Sequence, residues 1–200
     1  MTLIKSISGI RGTIGGNVGD ALTPLDIVKF TSAYAKFIRN QASDSNTIII
    51  GRDARISGEM VQALVSNTLV GLGIDVVDLN MATTPTVEIM VPKLKAQGGI
   101  ILTASHNPKQ WNALKLLDSN GEFLNAKAGE KILAIAEEEK FNFASVDNLG
   151  SIKQDKTSLD IHIKAILEHP LVEVKKIKGC LLYTSDAADD SLRVDLGGRR

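Results

Sequence analysis

Apolar side chains along the chain alternate between helical spacing and short β-branched runs. Ile27, Phe30, Tyr34, Phe37 and Ile38 recur at helical intervals. They follow Thr23-Pro24-Leu25-Asp26, which offers an N-cap, a proline suited to the first helical position and an acid in the first turn. A helix up to Arg39 is predicted. The run Thr47-Ile48-Ile49-Ile50 predicts a short buried strand ended by Gly51. Ser57 then caps a second helix reaching Leu72, with Gly73 as its terminator. Next come a strand over 74–79, a short helix over 86–94 entered through Thr84-Pro85, and a strand over 100–103 released by Gly98-Gly99. Residues 113–117 read as another strand, turned by Asp118-Ser119-Asn120-Gly121. A helix over 125–140 closes the unit, and its acidic run Glu137-Glu138-Glu139 reads as a solvated face. This alternation predicts an α/β class.

Residues 141–158 are polar and aperiodic, which marks them as a linker after a first domain over 1–140. An amphipathic helix over 159–168, and a segment over 172–179 leading into a new strand, read as the truncated start of a second α/β domain. Composition adds exclusions. Lys+Arg and Asp+Glu both total 23, so the net charge is zero and a nucleic-acid footprint or polybasic membrane anchor is not expected. No apolar run approaches the ~20 residues of a membrane span. The first residues lack a signal-peptide core, which makes a cytoplasmic address the expectation. The single cysteine, Cys180, leaves no disulfide framework and no cysteine-built metal site. Trp111 and the few other aromatics form no stacking platform, and His162 and His169 read as surface or packing residues. The sequence leaves the oligomeric state open.

Three segments carry candidate chemistry, because ligands of open α/β sheets bind beyond the carboxyl ends of strands. Ser8-Gly9-Ile10-Arg11-Gly12-Thr13 places an arginine among glycines, suited either to a phosphate or to a flexible hairpin. It fits neither the dinucleotide fingerprint nor the P-loop. Gly51-Arg52-Asp53-Ala54-Arg55-Ile56-Ser57 sets two arginines beside an aspartate, able to bind phosphate or to pair among themselves. Thr103-Ala104-Ser105-His106-Asn107-Pro108 presents Ser105 on a polar turn after an apolar strand. Alone it reads as a plain turn: a serine needs activation to act as a nucleophile, and the acyl-hydrolase elbow is absent. Lys115 on the next strand is either a partner for Ser105 or a surface cation.

In this order and spacing the three segments resemble the N-terminal domain of the α-D-phosphohexomutase family, which includes phosphoglucosamine mutase and phosphomannomutase/phosphoglucomutase. The hexapeptide from Thr103 to Pro108 resembles the family's phosphoserine loop, Gly9-Ile10-Arg11-Gly12 its Gly-Ile-Arg-Gly segment, and Gly51-Arg52-Asp53 its Gly-Arg-Asp turn. The resemblance runs from about Leu3 into the start of the second domain. It implies a three-layer α/β/α domain built on a mixed sheet. It implies that Ser105 carries a phosphoryl group and exchanges it with a hexose phosphate through a bisphosphorylated sugar, moving phosphate between C6 and C1. Arg11 and Lys115 would assist proton transfer. His106, grouped with them, would shape the loop together with Asn107; Thr103 would support it, and Arg52 would brace the site. Mg²⁺ would be held by a phosphate oxygen on Ser105 and by an Asp-rich loop of the second domain that this sequence does not contain.

A phosphoglucosamine mutase-like parent enzyme is the leading expectation, with phosphomannomutase/phosphoglucomutase as the enzymatic alternative. A non-catalytic phosphosugar-binding module is the alternative of another class. The chain as written is expected to lack mutase activity. Two departures stand inside the matched region: Ser8 where the family commonly has Asp, and Ala113 after Asn112 where it commonly has Gly. From Cys180 onward the sequence (Cys-Leu-Leu-Tyr-Thr-Ser-Asp-Ala-Ala-Asp) resembles translated sequencing-adapter DNA, so residues 180–200 are expected to be extraneous.

Overall fold

The computed structural model describes residues 1–6, 9–41 and 45–178. Ser8 and the segment 180–200 therefore lie outside the described residues. The chain divides into two compact units, residues 1–162 and 163–200.

The first unit is built on one mixed seven-stranded sheet. Its strands are β1 (Ile4–Ser6), β2 (Gly9–Thr13), β3 (Thr47–Arg52), β4 (Asp75–Met81), β5 (Gly98–Leu102), β6 (Trp111–Leu117) and β7 (Ile152–Gln154). Helices α1 (Pro24–Arg39), α2 (Gly58–Gly71), α3 (Thr84–Lys93), α4 (Ala126–Glu138) and α5 (Ser158–Leu167) accompany them. The sheet order is β1-β2-β6-β5-β3-β4-β7. β3 pairs in parallel with β4 and β5, β4 pairs in parallel with β7, and the β1-β2-β6-β5 half is antiparallel.

Register sorts the side chains into two faces. Ile50 opposes Ile100, Leu102 opposes Leu114, and Leu114 opposes Ile10. These residues share one face and pack with Phe30 and Tyr34 of α1, Val61 and Val65 of α2, and Ile132 of α4. On the other face Ile49, Ile101 and Leu117 pack with Val87, Met90 and Val91 of α3. The architecture is thus three layers, α/β/α, with three helices against one face.

Helix α1 starts as its sequence dictates. Thr23 caps it, its hydroxyl accepting from the Asp26 amide while the Asp26 carboxylate returns a bond to the Thr23 amide, and Pro24 fills the first position. Tyr34 then fixes the helix to the sheet, its buried hydroxyl donating to the carbonyls of Leu117 (2.7 Å) and Gly99 (3.2 Å). Burial pushes that phenol well above its ordinary pKa, so it stays a donor. Gly98 makes this approach possible: a Cβ there would lie 2.2 Å from the Tyr34 hydroxyl. Ser57 does stand at the N-cap of α2, but its side chain makes no cap bond. Its hydroxyl instead accepts from buried Asn112 on β6, 3.0 Å away.

Two expectations change, and a third, the solvated acidic run, holds with partners added. Residues 141–158 are not a detached linker. Phe141 packs on the larger core, the amides of Ala144 and Gly150 bond to Gly71 and Val70, and β7 adds an edge strand opposite Val76 and Val77. Every β7 residue is exposed, so no apolar alternation announces this strand, which is held by backbone pairing. The acidic run closing α4 is exposed but paired: Glu137 with Lys5, Glu139 with Lys29 and Glu138 with Lys36. In the second unit, a short helix α6 (Val174–Lys178) stands where residues 172–179 predict the approach to a strand. Three of its five residues are lysines, which favour helix over strand. Glu173 precedes it and accepts from the Lys176 amide.

Candidate functional site

β5 stops at Leu102, and Pro108 prevents the segment beyond from continuing as strand. Ser105 sits in the left-handed region with φ +54°, a conformation a serine adopts only when its surroundings impose it. The imposing groups come from the neighbouring strand-to-helix turn. Arg55 donates from Nη2 to the carbonyls of Ser105 (2.7 Å) and Asn107 (2.8 Å). From Nη1 it donates to the carbonyls of Pro108 (2.8 Å) and Trp111 (3.0 Å). Its Nε donates to Asp53 Oδ2 at 3.1 Å. That carboxylate also accepts the Thr103 hydroxyl at 2.6 Å, and Thr103 Oγ1 in turn accepts the Ser105 amide at 3.1 Å. The backbone around Ser105 is tied down, while its hydroxyl is exposed and bonded to no described residue. His106 is exposed and Asn107 half-buried.

Register locates the two cations expected to assist. Arg11 opposes Ala113, and Lys115 opposes Ile101, so both stand on the face of the sheet against which α3 packs through Ile49, Ile101 and Leu117. Arg11 is exposed and pairs with no described residue; the Lys115 ammonium stands 5.7 Å from the Phe123 ring centroid. Ala113 lies one position nearer the Ser105 loop than Leu114, the partner of Leu102, so Arg11 flanks the end of the sheet from which that loop springs. Gly9 lets β2 close against β6, since a Cβ there would sit 2.2 Å from the Leu114 carbonyl oxygen and φ is +116°. Its room is thus filled by protein backbone.

Arg52 goes elsewhere. It opposes Leu102 and shares the other face of the sheet. Its Nε donates to Gln62 at 2.7 Å, and its other nitrogens reach Glu59 and the Asp53 carbonyl. Gln62 continues to Asp78 on β4, so Arg52 braces the start of α2 and the Asp53 turn from beneath. The sequence does not single out Arg55 over Arg52 as the residue that grips the serine loop. Its signal is the two-residue step from Asp53, which lets one carboxylate take both the Arg55 amide and its Nε. The Asn112–Ser57 bond, a second tie between the same segments, carries no sequence signal.

The described residues hold no group of three or more His, Asp, Glu or Cys able to bind a metal ion. Asp53, the carboxylate bonded into the Ser105 loop, already accepts three hydrogen bonds. This domain's own side chains therefore do not compose a Mg²⁺ site. His162 instead bonds Thr86 at the start of α3 through Nδ1 at 2.9 Å. No helix among the described residues is long and apolar enough to cross a membrane.

Comparison with known proteins shows the family and the fold. Two curated relatives are a phosphoglucomutase/phosphomannomutase of Thermococcus kodakarensis, 30% identical over 84% of this chain and 36% of its own length, and a phosphoglucosamine/phosphogalactosamine mutase of Sulfurisphaera tokodaii, 31% identical over 85% and 35%. The chain thus spans about a third of the length of these relatives. Among solved structures, a phosphoglucomutase/phosphomannomutase family protein from Burkholderia thailandensis shares the fold, with a TM-score of 0.67 at 22% identity over 83% of this chain and 36% of that one. A Thermus thermophilus protein gives 0.74 at 25% identity over 90% and 38%. Residues 3–143 match the family described as phosphoglucomutase/phosphomannomutase, alpha/beta/alpha domain I, and the chain belongs to that family.

Proposed function

We propose that this chain is the phosphoserine domain of a phosphohexomutase. Ser105 accepts a phosphoryl group and returns it to a hexose phosphate, so that phosphate moves between C6 and C1 through a bisphosphorylated sugar. One observation carries the reading: an exposed hydroxyl, bonded to no described residue, stands on a loop whose left-handed serine and following backbone are held by four donors of one arginine. A loop that served only as a turn would not need such fixation; a group-transfer site does, because phosphoryl transfer depends on position and charge placement.

In the first half-reaction the Oγ–P bond at Ser105 breaks as a P–O bond to a sugar hydroxyl forms, the hydroxyl losing its proton and the Ser105 oxygen gaining one. In the second the other P–O bond of the bisphosphorylated sugar breaks as Oγ–P re-forms, Ser105 giving up its proton and the released sugar oxygen taking one. Lys115 is the candidate to relay that proton. Arg11 assists it and offsets the negative charge on the phosphoryl oxygens. His106, Asn107 and Thr103 maintain the loop, and Arg52 supports the turn carrying Asp53. Mg²⁺, with ligands beyond the Ser105 phosphate supplied from outside this domain, would neutralise phosphoryl charge. Relatives named as acting on aminosugar phosphates favour a phosphoglucosamine mutase-like substrate, with phosphomannomutase/phosphoglucomutase as the alternative.

Replacing Ser105 by Ala in the intact mutase carrying this domain is expected to lower turnover by about 10³-fold or more, since no other hydroxyl is placed to substitute. Near-normal activity overturns the assignment. Residues 1–200 alone are expected to show no turnover on glucosamine 6-phosphate.

A further inference from the structure

We infer that Arg55 is the positioning residue that sets the Ser105 loop, and that it binds neither the phosphoryl group nor the sugar. The inference rests on the functional reading above but can fail separately from it. A guanidinium has five N–H donors in a fixed planar fork. All five are used: one on Asp53 Oδ2, and four on the carbonyls of Ser105, Asn107, Pro108 and Trp111. Nothing remains to offer a phosphate. The side chain is only 11% exposed, and its charge is met by Asp53 at 3.1 Å. The anion-binding potential of Arg55 in the Gly51-to-Ser57 turn is therefore satisfied internally, whereas Arg11 is exposed and pairs with no described residue.

The four carbonyls explain the loop's shape. They come from residues 105, 107, 108 and 111, which span the turn from the serine to the first residue of β6. Gathering carbonyl dipoles around one point is unfavourable unless a cation sits there, and only a planar, five-donor cation reaches all of them. Lysine has three donors and no plane. Asp53 links the same clamp to Thr103 and through it to the Ser105 amide, so both sides of the left-handed residue are fixed. Without the clamp, Ser105 would relax to a commoner conformation and its hydroxyl would swing off line. Substrate binding, which Arg55 does not touch, would remain.

Two measurements test this. In the 200-residue chain, Arg55→Lys is expected to raise amide hydrogen exchange at Ser105 and Asn107 by about tenfold or more, the equivalent of losing at least one charge-assisted bond. Exchange at core amides such as those of Ile49 and Ile101 serves as the folding control and is expected to stay unchanged. Unaltered exchange in the loop overturns the inference whatever the enzyme does. In the intact mutase, Arg55→Lys is expected to lower kcat by about 10²-fold with KM for hexose phosphate within about threefold. Millimolar guanidinium is expected to restore part of the activity of Arg55→Gly, a rescue that a folding role would not permit. A raised KM with unchanged kcat makes Arg55 a substrate ligand and overturns the inference. Loosened exchange at the loop with unaltered turnover overturns the positioning role of Arg55 and leaves the Ser105 assignment to the Ser105→Ala variant.

Discussion

The two faces of the sheet are used in opposite ways. One carries Ile10, Ile48, Ile50, Ile100, Leu102, Leu114 and Leu116 beneath three helices, and its one charged cluster, Arg52 with Gln62 and Asp78, is internally bonded. The other is covered by α3 over Ile49, Ile101 and Leu117, while Arg11 stands exposed on β2 and Lys115 half-buried on β6. The Ser105 loop springs from β5, whose other neighbour is buried β3 and which joins β6 at the edge of cover. The larger apolar core thus lies on one face, and an exposed cation, Arg11, is left at the margin of the other. The same residue type illustrates the rule: Arg52 and Arg55 are locked in bonds to protein, whereas Arg11 pairs with no described residue.

This contrast predicts a graded series of outcomes. The largest effect on folding belongs to Gly98→Ala, whose Cβ would collide with the Tyr34 hydroxyl at 2.2 Å and approach the Leu117 carbonyl oxygen at 2.8 Å. A loss of roughly 4 kcal/mol is expected in urea melts. A loss below about 1 kcal/mol would show that the three-helix face is not tightly packed there. On the open face the pattern reverses. Arg11→Met and Lys115→Met should leave stability within about 0.5 kcal/mol of the parent while lowering mutase turnover by about 10²-fold. If they unfold the domain instead, the open face is structural and the comparison breaks. Tyr34→Phe sharpens it further, with a cost of about 1–2 kcal/mol for removing the donor to two buried carbonyls.

The smallest effect concerns the exposed pairs joining α1 and β1 to α4. The Lys5 ammonium bonds Glu137 and, with the charge of Lys29, holds that carboxyl below the ordinary glutamate value. Its contribution is present above the ordinary glutamate range and is lost as pH falls through the lowered value. Titration by NMR should show the Glu137 midpoint rising in Lys5→Met, with little change in melting temperature at neutral pH.

Much of this was legible from residue order. The N-cap, proline and first-turn acid from Thr23 to Asp26 and the β-branched run at 47–50 each impose a local geometry the structure adopts, whereas Gly98 and Gly99 lie inside β5 and do not merely precede it. The three loops announce the family because Ser105, Arg11 and the Asp53 turn stand at fixed intervals. What escaped was whatever depends on partners distant in sequence. β7 is an exposed edge strand defined by pairing with β4, and the lysines that meet Glu137, Glu138 and Glu139 lie about a hundred residues earlier. The division of labour between Arg52 and Arg55 follows from which face of the sheet each one leaves, information that appears only once β3 is set beside β5.

The central claim is that Ser105 is the phosphoryl carrier. Incubating the intact mutase with a hexose 1,6-bisphosphate and mapping phosphate by peptide mass spectrometry tests it most directly. The account predicts one phosphoryl group, on the peptide containing Ser105, absent from the Ser105→Ala variant. Phosphate on another residue, or turnover with Ser105 never modified, would contradict it.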